Sequence, residues 1–148
     1  MPGTTSQRTE IHTAFRFAVQ IEGITEAVFT ECALPTLEVE VHHQLEGGLN
    51  NAVHQLPGRV KAGRIILKRG VTSSDQLLKW YVDVAQGKVN GCQRKVSVVM
   101  YDSLFDELMR WNFEGAFPSK WTGPSFASGN SQLAIETLEL SYQSMDVE

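Results

Sequence analysis

The sequence predicts a single, mainly β domain with one packed α-helix, and three observations support this fold class. Residues 14–22 alternate between apolar and polar side chains, which is the period of a half-buried strand. Only residues 73–86 follow the 3.6-residue period of an amphipathic helix. The 148 residues, 42% of them hydrophobic, suffice for one ordinary core and are too few to suggest two domains.

The first third of the chain is predicted to hold three antiparallel strands. The first strand carries its apolar side chains on one face: Phe15, Phe17, Val19 and Ile21. After the turn signal at Gly23, residues 27–33 are predicted to return alongside it as a hairpin. Beyond Pro35 a third strand alternates again, and its odd-numbered side chains are expected to face the domain core: Leu37, Val39 and Val41.

Residues 45–58 interrupt the alternation with pairs of residues that favour turns: Gly47-Gly48, Asn50-Asn51 and Pro57-Gly58. This segment is predicted to be a long loop or an extended, loosely paired hairpin. Connections of more than ~12 residues without structure of their own are uncommon in compact domains and are often functional. The segment is therefore a candidate contact loop, and an ordinary surface loop is the other interpretation.

A further strand and the helix follow this loop. Residues 60–69 are predicted to form one strand, which Gly70 closes. Ser73 and Gln76 have the spacing of a capping box, and Gly87 is a suitable C-terminal stop for the helix. The apolar face of the helix consists of Leu77, Leu78, Trp80, Tyr81, Val84 and Ala85.

The last third is predicted to hold three more strands. Residues 94–102 alternate first, and residues 108–117 alternate again after a turn. Residues 118–130 are rich in Gly, Pro and Ser and are predicted to be irregular. A last strand covers residues 133–145, where a change in the parity of the apolar positions predicts a bulge near residues 136–137.

The net charge of −4 conceals an uneven distribution. Residues 1–46 carry two basic and seven acidic side chains, residues 47–99 carry nine and two, and residues 100–148 carry two and eight. Such asymmetry indicates a nucleic-acid face, complementary patches that meet on neighbouring copies, or solvated strands paired across a sheet. The lack of an aromatic residue between Arg59 and Lys79, and the acidic chain as a whole, disfavour nucleic acid.

The sequence contains few groups that could perform catalysis. It lacks the motifs of a nucleophile elbow, a zinc protease or a dinucleotide site. His42 and His43 are adjacent strand residues whose side chains point to opposite faces, so they cannot bind one metal ion. Asp102, Asp106 and Glu107 are better explained as residues that stabilise a turn. We therefore predict no enzyme, no metal site and no cofactor.

The N-terminal residues 1–12 are polar and are predicted to be flexible. They lack the apolar segment of a secretory signal, so assembly in the cytoplasm is the expectation. In that reducing compartment Cys32 and Cys92 are expected to be free thiols rather than a disulfide.

Three segments of the second half together resemble a known family. They are Leu67-Lys68-Arg69-Gly70-Val71, the run from Trp111 to Trp121 that reads WNFEGAFPSKW, and the run from Ile135 to Tyr142 that reads IETLELSY. In this order and spacing they resemble the tail tube proteins of contractile-tailed phages and the inner tube proteins of extracellular contractile injection systems. The resemblance is strongest over residues 60–143, and the first strands also fit.

The resemblance implies an antiparallel β-barrel or sandwich of tail-tube type, similar also to the haemolysin-coregulated tube protein of type VI secretion. Members of the family assemble as hexameric rings that stack into a hollow tube, and a contractile sheath drives this tube through a target envelope. The implied partners are further copies of the chain, sheath subunits, baseplate and tail-terminator proteins, and a protein effector or genome as cargo. The family brings no catalytic residue and no cofactor.

Two hypotheses place individual residues in such a tube. The polar members of the strand after Pro35 are expected to face the lumen: Glu38, Glu40 and His42. The family's long loop, matched here by residues 45–57, and nearby basic residues are expected to contact neighbouring subunits. These contact candidates are Leu45, Glu46, Leu49, Asn50, Asn51, Arg59, Lys61 and Arg64.

The alternative from another class of protein is a small monomeric or dimeric β-barrel that binds a ligand or carbohydrate. A chain of this kind would need no complementary faces, whereas stacked rings require each subunit to present unlike surfaces.

Overall fold

The computed structural model describes residues 16–24, 28–45, 53–88, 91–129 and 134–148, within which the chain forms nine strands and one helix. The helix α1 spans Gln76–Ala85. The strands are β1 (Arg16–Ile21), β2 (Glu31–Ala33), β3 (Glu38–Leu45), β4 (Val53–Lys61), β5 (Ile65–Gly70), β6 (Arg94–Tyr101), β7 (Glu107–Thr122), β8 (Ile135–Ser141) and β9 (Ser144–Val147). The predicted class, mainly β with one helix, is confirmed.

Seven strands form one antiparallel sheet in the order β1-β6-β7-β8-β5-β2, with β9 also paired to β7. Among the described strands, β3 and β4 pair only with each other. The first half of β7 pairs with β6 and β9, and its second half pairs with β8. We call β1, β6, β9 and the first half of β7 the first sheet, and the second half of β7 with β8, β5 and β2 the second sheet. The described strands do not close into a barrel, and the two sheets pack as a sandwich.

The strand β7 passes from one sheet to the other at Gly115. The φ of this residue is +63°, in the left-handed region that is costly for a residue with a Cβ atom. A Cβ at this position would lie 2.5 Å from Cγ of Gln143, in the turn between β8 and β9. The backbone N–H of Gln143 donates to the carbonyl of Glu114 at 2.9 Å, so both chains bend at the same place.

The core lies between the two sheets and includes one face of α1. Inward side chains alternate along the strands: Val19, Ile21, Val96, Val98 and Phe113 from the first sheet, and Ile65, Leu67, Leu138 and Leu140 from the second. Two details differ from the prediction, because Phe17 is 38% exposed and β6 is buried on both faces at residues 96–99. From the helix, Leu77 and Trp80 are buried, and the indole Nε1 of Trp80 donates to the carbonyl of Cys92 at 2.6 Å. Cys32 and Cys92 are free thiols, as predicted.

The predicted end of the helix is confirmed, and its predicted start is wrong. Gly87 follows the helix with a φ of +77°, which suits a glycine stop. At the other end the N-cap is Asp75, which makes no side-chain capping hydrogen bond, so the expected pairing of Ser73 with Gln76 is not used. Tertiary contacts fix this segment instead, because Arg69 donates to the carbonyl of Ser74 at 3.1 Å.

Two strand predictions in the first half are wrong because strand pairing is not local in this fold. The segment expected to return beside β1 contains β2, which pairs with β5 and not with β1. The strand expected over residues 60–69 is divided between the end of β4 and almost the whole of β5. Between them, a Cβ at Gly63 would lie 2.5 Å from Cβ of Pro35 and 2.9 Å from the carbonyl oxygen of Thr36. The chain therefore crosses tightly against the segment that leads into β3.

Two predictions in the last third are also corrected. Residues 118–122, expected to be irregular, continue β7, and a register shift between Pro118 and Lys120 accommodates the proline, which has no N–H to donate. The bulge is thus on β7 and not near residues 136–137, since β8 pairs with β5 without a shift. The apolar parity changes because Ile135 is 46% exposed, while Glu136 is only 7% exposed and takes the inward position.

Glu136 is buried because it forms an ion pair with Arg69, the residue directly opposite on β5. Only 3% of the Arg69 side chain and 8% of the Glu136 side chain are exposed. The same guanidinium binds the carbonyl of Ser74, so this pair connects two strands of the second sheet to the segment that precedes the helix. A buried charge of this kind is tolerated only while its partner remains in place.

Replacing Glu136 with Gln should destabilise the protein by about 3 to 5 kcal/mol, because Arg69 would be left as an unpaired buried charge. Chemical denaturation followed by circular dichroism measures the change. The matched control is Asp75→Asn, which removes the exposed pair between Lys79 and Asp75 and should cost less than about 1 kcal/mol. The double variant Arg69→Met/Glu136→Leu should recover most of the loss. Equal stability of Glu136→Gln and the control would contradict this role.

Candidate assembly surface

The hairpin of β3 and β4 is the most distinctive surface feature of the chain, and we call it the arm. Its pairing runs from Glu38 opposite Lys61 to Leu45 opposite Val53, with a register shift between Val39 and Val41. The segment that the sequence left open as a loop or a loosely paired hairpin is therefore partly strand, since β4 begins at residue 53. An isolated two-stranded hairpin is at best marginally stable in water, so the arm is a structure that gains from a partner.

One face of the arm is apolar and exposed. Val39 lies opposite Val60, and Val41 lies opposite Pro57, so these side chains share a face. Val39 is 47%, Val41 is 54% and Val60 is 72% exposed. Leu37, Val39 and Val41 were expected to face the domain core, and this prediction is wrong because β3 pairs with β4 rather than with the main sheet.

The opposite face of the arm is polar. Glu38, Glu40 and His42, the residues expected to face a lumen, alternate along β3 and are all exposed. The carboxylate of Glu38 lies 3.5 Å from the ammonium of Lys61, the residue opposite. A Cβ at Gly58 would approach the carbonyl oxygen of Glu40 to 3.0 Å and the ring of His42 to 3.1 Å, so the two strands lie closely together here.

The residues expected to contact neighbouring subunits divide into three groups. Glu46, Leu49, Asn50 and Asn51 lie outside the described residues. Leu45 ends β3, whereas Arg59 and Lys61 lie exposed on β4. Arg64 is in the connection after the arm, where it binds Glu139 of β8 at 3.2 Å. Of the three basic candidates, Lys61 and Arg64 thus already have partners within the chain.

The main sheet also presents two edge strands, β1 and β2. Within the described part of the chain, β1 is paired on one side only, with β6, and β2 is paired on one side only, with β5. The edge strand β2 has just three residues, Glu31–Ala33. An exposed strand edge offers backbone N–H and C=O groups to another chain.

The turn between β6 and β7 is a surface that the sequence interpretation explained only in part. Asp102 stabilises it as predicted, because its Oδ1 accepts the N–H groups of Leu104 and Asp106, each at 2.9 Å. The unexpected feature is that Leu104 is 79% and Phe105 is 65% exposed. Phe105 also has a φ of +64°, which costs a non-glycine residue about 1 to 2 kcal/mol. The sequence feature that could have indicated this exposed surface is the apolar pair Leu104-Phe105 between the acidic turn residues Asp102 and Asp106.

The remaining side chains give little support for catalysis. Burial raises the pKa of the Cys32 thiol to about 11, so this thiol stays protonated and unreactive at neutral pH. Within the described ranges, His, Cys, Asp and Glu side chains nowhere gather in a group of three that could hold a metal ion. The described helix is also not long and apolar enough to cross a membrane.

Comparisons with known proteins agree with the architecture. The model of the family described as T4-like virus tail tube protein gp19 matches residues 13–146. The fold is similar to a chain of the PVC sheath-tube complex, an extracellular contractile injection system in its extended state, with a TM-score of 0.79 and 21% identity over 99% of this chain and 98% of that chain. A search of curated proteins by sequence found no significant match.

Two further solved structures share the fold. A chain of the anti-feeding prophage baseplate matches with a TM-score of 0.77 and 24% identity, over 94% of this chain and 95% of that chain. Hcp1 from Flavobacterium johnsoniae matches with a TM-score of 0.54 and 14% identity, over 88% of this chain and 93% of that chain. The predicted sandwich of tail-tube type is thereby confirmed.

Proposed function

Because this chain belongs to the T4-like virus tail tube protein gp19 family, we propose that it is a non-enzymatic structural subunit of the inner tube of a contractile injection system or phage tail. Six copies form a ring, rings stack into a rigid hollow tube, and the tube is the conduit for cargo when a sheath contracts. The alternative, a monomeric or dimeric module that binds a ligand or carbohydrate, is an outcome of the test below.

The observation that carries this proposal is the arm, which exposes Val39, Val41 and Val60 on one face. Burial of apolar area contributes roughly 25 cal/mol per Å², and a two-stranded hairpin has no core of its own. A neighbouring copy supplies the surface that covers this face. Since the arm and the surface it contacts are unlike, the contact is heterologous, and it extends into a filament where it joins one ring to the next.

Ring formation uses the free edges of the main sheet. The edges of β1 and β2 are the two ends of the strand order, and Phe17 of β1 lines one groove together with Glu31 and Cys32 of β2. A strand from a neighbouring copy can pair with either edge at this groove. Six sheets joined in this way make one continuous wall around a lumen, and no long edge remains exposed to cause aggregation. The basic middle and the acidic ends of the sequence pair largely within one subunit, for example Lys68 with Glu31 and Lys95 with Glu114, so the charge test below is made at Arg59.

Glu38, Glu40 and His42 face the lumen in this proposal, because they are the polar side of the arm. Its partners are further copies, sheath subunits, baseplate and tail-terminator proteins, and an effector or genome as cargo. Supporting structures of similar fold come from a sheath-tube complex, a baseplate and a terminating cap of injection particles. The chain is assembled in the cytoplasm and becomes part of a tail or of a particle that is released or anchored.

Electron microscopy of the purified full chain, with light scattering over a range of concentrations, tests the proposed function. Stacked rings with a central channel are expected, and scattering should rise steeply above a threshold concentration because a repeated contact extends the filament. A monomer or dimer that persists at high concentration, with or without a bound ligand, would favour the binding module.

Cysteines at positions 38 and 40, introduced as Glu38→Cys and Glu40→Cys, test the lumen assignment. In end-capped tubes these cysteines should react at least about tenfold more slowly with a bulky, polymer-linked maleimide than in unassembled chains, because the wall excludes the reagent. The matched control is Asp75→Cys, an exposed position before α1 that should react equally fast in both states. Rapid labelling at positions 38 and 40 from outside intact, capped tubes would contradict the assignment.

Charge reversal at Arg59 tests the proposed pairing between subunits. Arg59→Glu should raise the concentration needed for tube formation by about tenfold, which corresponds to about 1.4 kcal/mol per contact. Arg64→Glu is less informative, since it would place a carboxylate beside Glu139 within the same chain. The control is Lys79→Glu, on the exposed side of the helix. Unchanged assembly of Arg59→Glu, measured by sedimentation of tubes, would count against this contact.

A further inference from the structure

We infer that the exposed ring of Phe105, in the turn between β6 and β7, inserts into a hollow between α1 and β7 of a second copy of this chain. The inference rests on the proposed function, because it names one contact between copies in the tube. Three observations carry it. The ring is held in place, the hollow has the size of such a ring, and the two lie at opposite ends of one strand.

The turn presents Phe105 in a fixed position. The backbone N–H of Asp102 donates to the carbonyl of Asp106 at 3.0 Å, and that of Phe105 donates to the carbonyl of Asp102 at 3.1 Å. The guanidinium of Arg16 lies 4.2 Å from the centre of the Phe105 ring and holds it beside the end of β1. A side chain held in this way loses less entropy when another surface binds it.

The turn itself does not explain a phenylalanine at position 105. The φ of this residue is +64°, a left-handed conformation that glycine adopts most easily and asparagine or aspartate tolerates. The side chain is 65% exposed, so its own chain offers it little burial in return. A strained and exposed aromatic residue indicates a binding role.

The hollow has room for a phenyl ring. It is mainly apolar and is lined by Val84, Gly87, Lys88, Cys92, Gln93 and Phe117. Its volume is about 160 Å³, and an apolar cavity of about 150 Å³ is large enough to bind benzene. A Cβ at Gly87 would have no atom within 4 Å, so the hollow is open on the side where the helix ends.

The ring and the hollow lie at opposite ends of β6. Cys92 and Gln93 directly precede Arg94, the first residue of the strand, whereas the turn directly follows its last residue, Tyr101. The eight residues of this strand span about 26 Å. A chain therefore cannot fill its hollow with its own ring, and the contact joins two copies head to tail. Such a heterologous contact extends from one ring of subunits to the next.

Charge favours the same orientation. Residues 88–95, beside the hollow, contain three basic residues and no acidic one, whereas residues 102–107, around the ring, contain three acidic residues and no basic one. Ion pairs within the chain neutralise part of this charge. Among the described residues, Arg94 beside the hollow and Asp106 beside the ring form no ion pair, so they are available to attract each other between copies.

Photo-cross-linking from position 105 tests the contact directly. The full chain is made as Phe105→p-benzoylphenylalanine, mixed with isotopically labelled wild-type chain, and assembled into tubes. Irradiation should link this residue to labelled peptides that contain Val84, Cys92 or Phe117, as identified by mass spectrometry, in tubes and not in unassembled protein. The matched control is Phe126→p-benzoylphenylalanine, since Phe126 is 88% exposed in an irregular segment, and it should not link to these peptides.

Variants on the two surfaces report on energy rather than distance. Phe105→Ser should raise the threshold concentration for tube formation about tenfold, because the buried area of an aromatic ring is lost. Phe126→Ser should leave the threshold unchanged. Gln93→Trp, which fills the mouth of the hollow, should act like Phe105→Ser, and the double variant should be no worse than either single one, because both remove the same contact.

Two results would overturn the inference and leave the proposed function intact. One is a cross-link from position 105 to other parts of the labelled chain instead of the hollow. The other is a threshold for Phe105→Ser equal to that of the wild-type chain. If the wild-type chain forms no tubes under any condition, the proposed function fails and the inference fails with it.

Discussion

The fold depends on a single strand that must pair in two sheets at once. β7 provides its first half to β6 and β9 and its second half to β8, so the relative position of the two sheets is fixed by the geometry of one bend. Gly115 makes that bend possible because its backbone is left-handed and because Gln143 occupies the space of a side chain. Ile65, Leu138 and Phe113, from opposite sides of the bend, can then share one core. The burial of Arg69 and Glu136 and the placement of the helix follow from this arrangement.

The arm obeys a different constraint from the rest of the domain. The main sheet buries its inward apolar side chains in one core, whereas Val39, Val41 and Val60 of the arm are about half exposed or more. A two-stranded hairpin of this kind gains stability from a surface that binds it. Its free energy of local unfolding within a single chain is therefore low. The same division appears at the β6–β7 turn, where the hydrogen bonds are satisfied locally and the apolar side chains are not. In the proposed tube, a neighbouring copy covers the apolar face of the arm.

Local periodicity allowed much of the main sheet to be predicted from the sequence. β6 and the helix were found because their alternation and their 3.6-residue period are local patterns, and Gly87 ended the helix as expected. The pairing of β2 with β5 was missed because it is set by distant residues. The inward face of β8 was misjudged at Glu136, because a carboxylate in an alternating pattern is normally assigned to the exposed face, whereas Glu136 is buried. For the arm, parity correctly grouped Val39 with Val41 on one face but contained no information on whether that face is covered.

The connection at Gly63 has a mechanical consequence. Pro35 and Thr36 leave no space for a side chain at this residue, and the hydroxyl of Tyr142 would lie 3.3 Å from a Cβ there, so the base of the arm is packed against the domain on several sides. A hinge with that little room resists rotation. In a filament built from such subunits, the arm would therefore keep a fixed angle to its own domain when a neighbouring copy pulls on it.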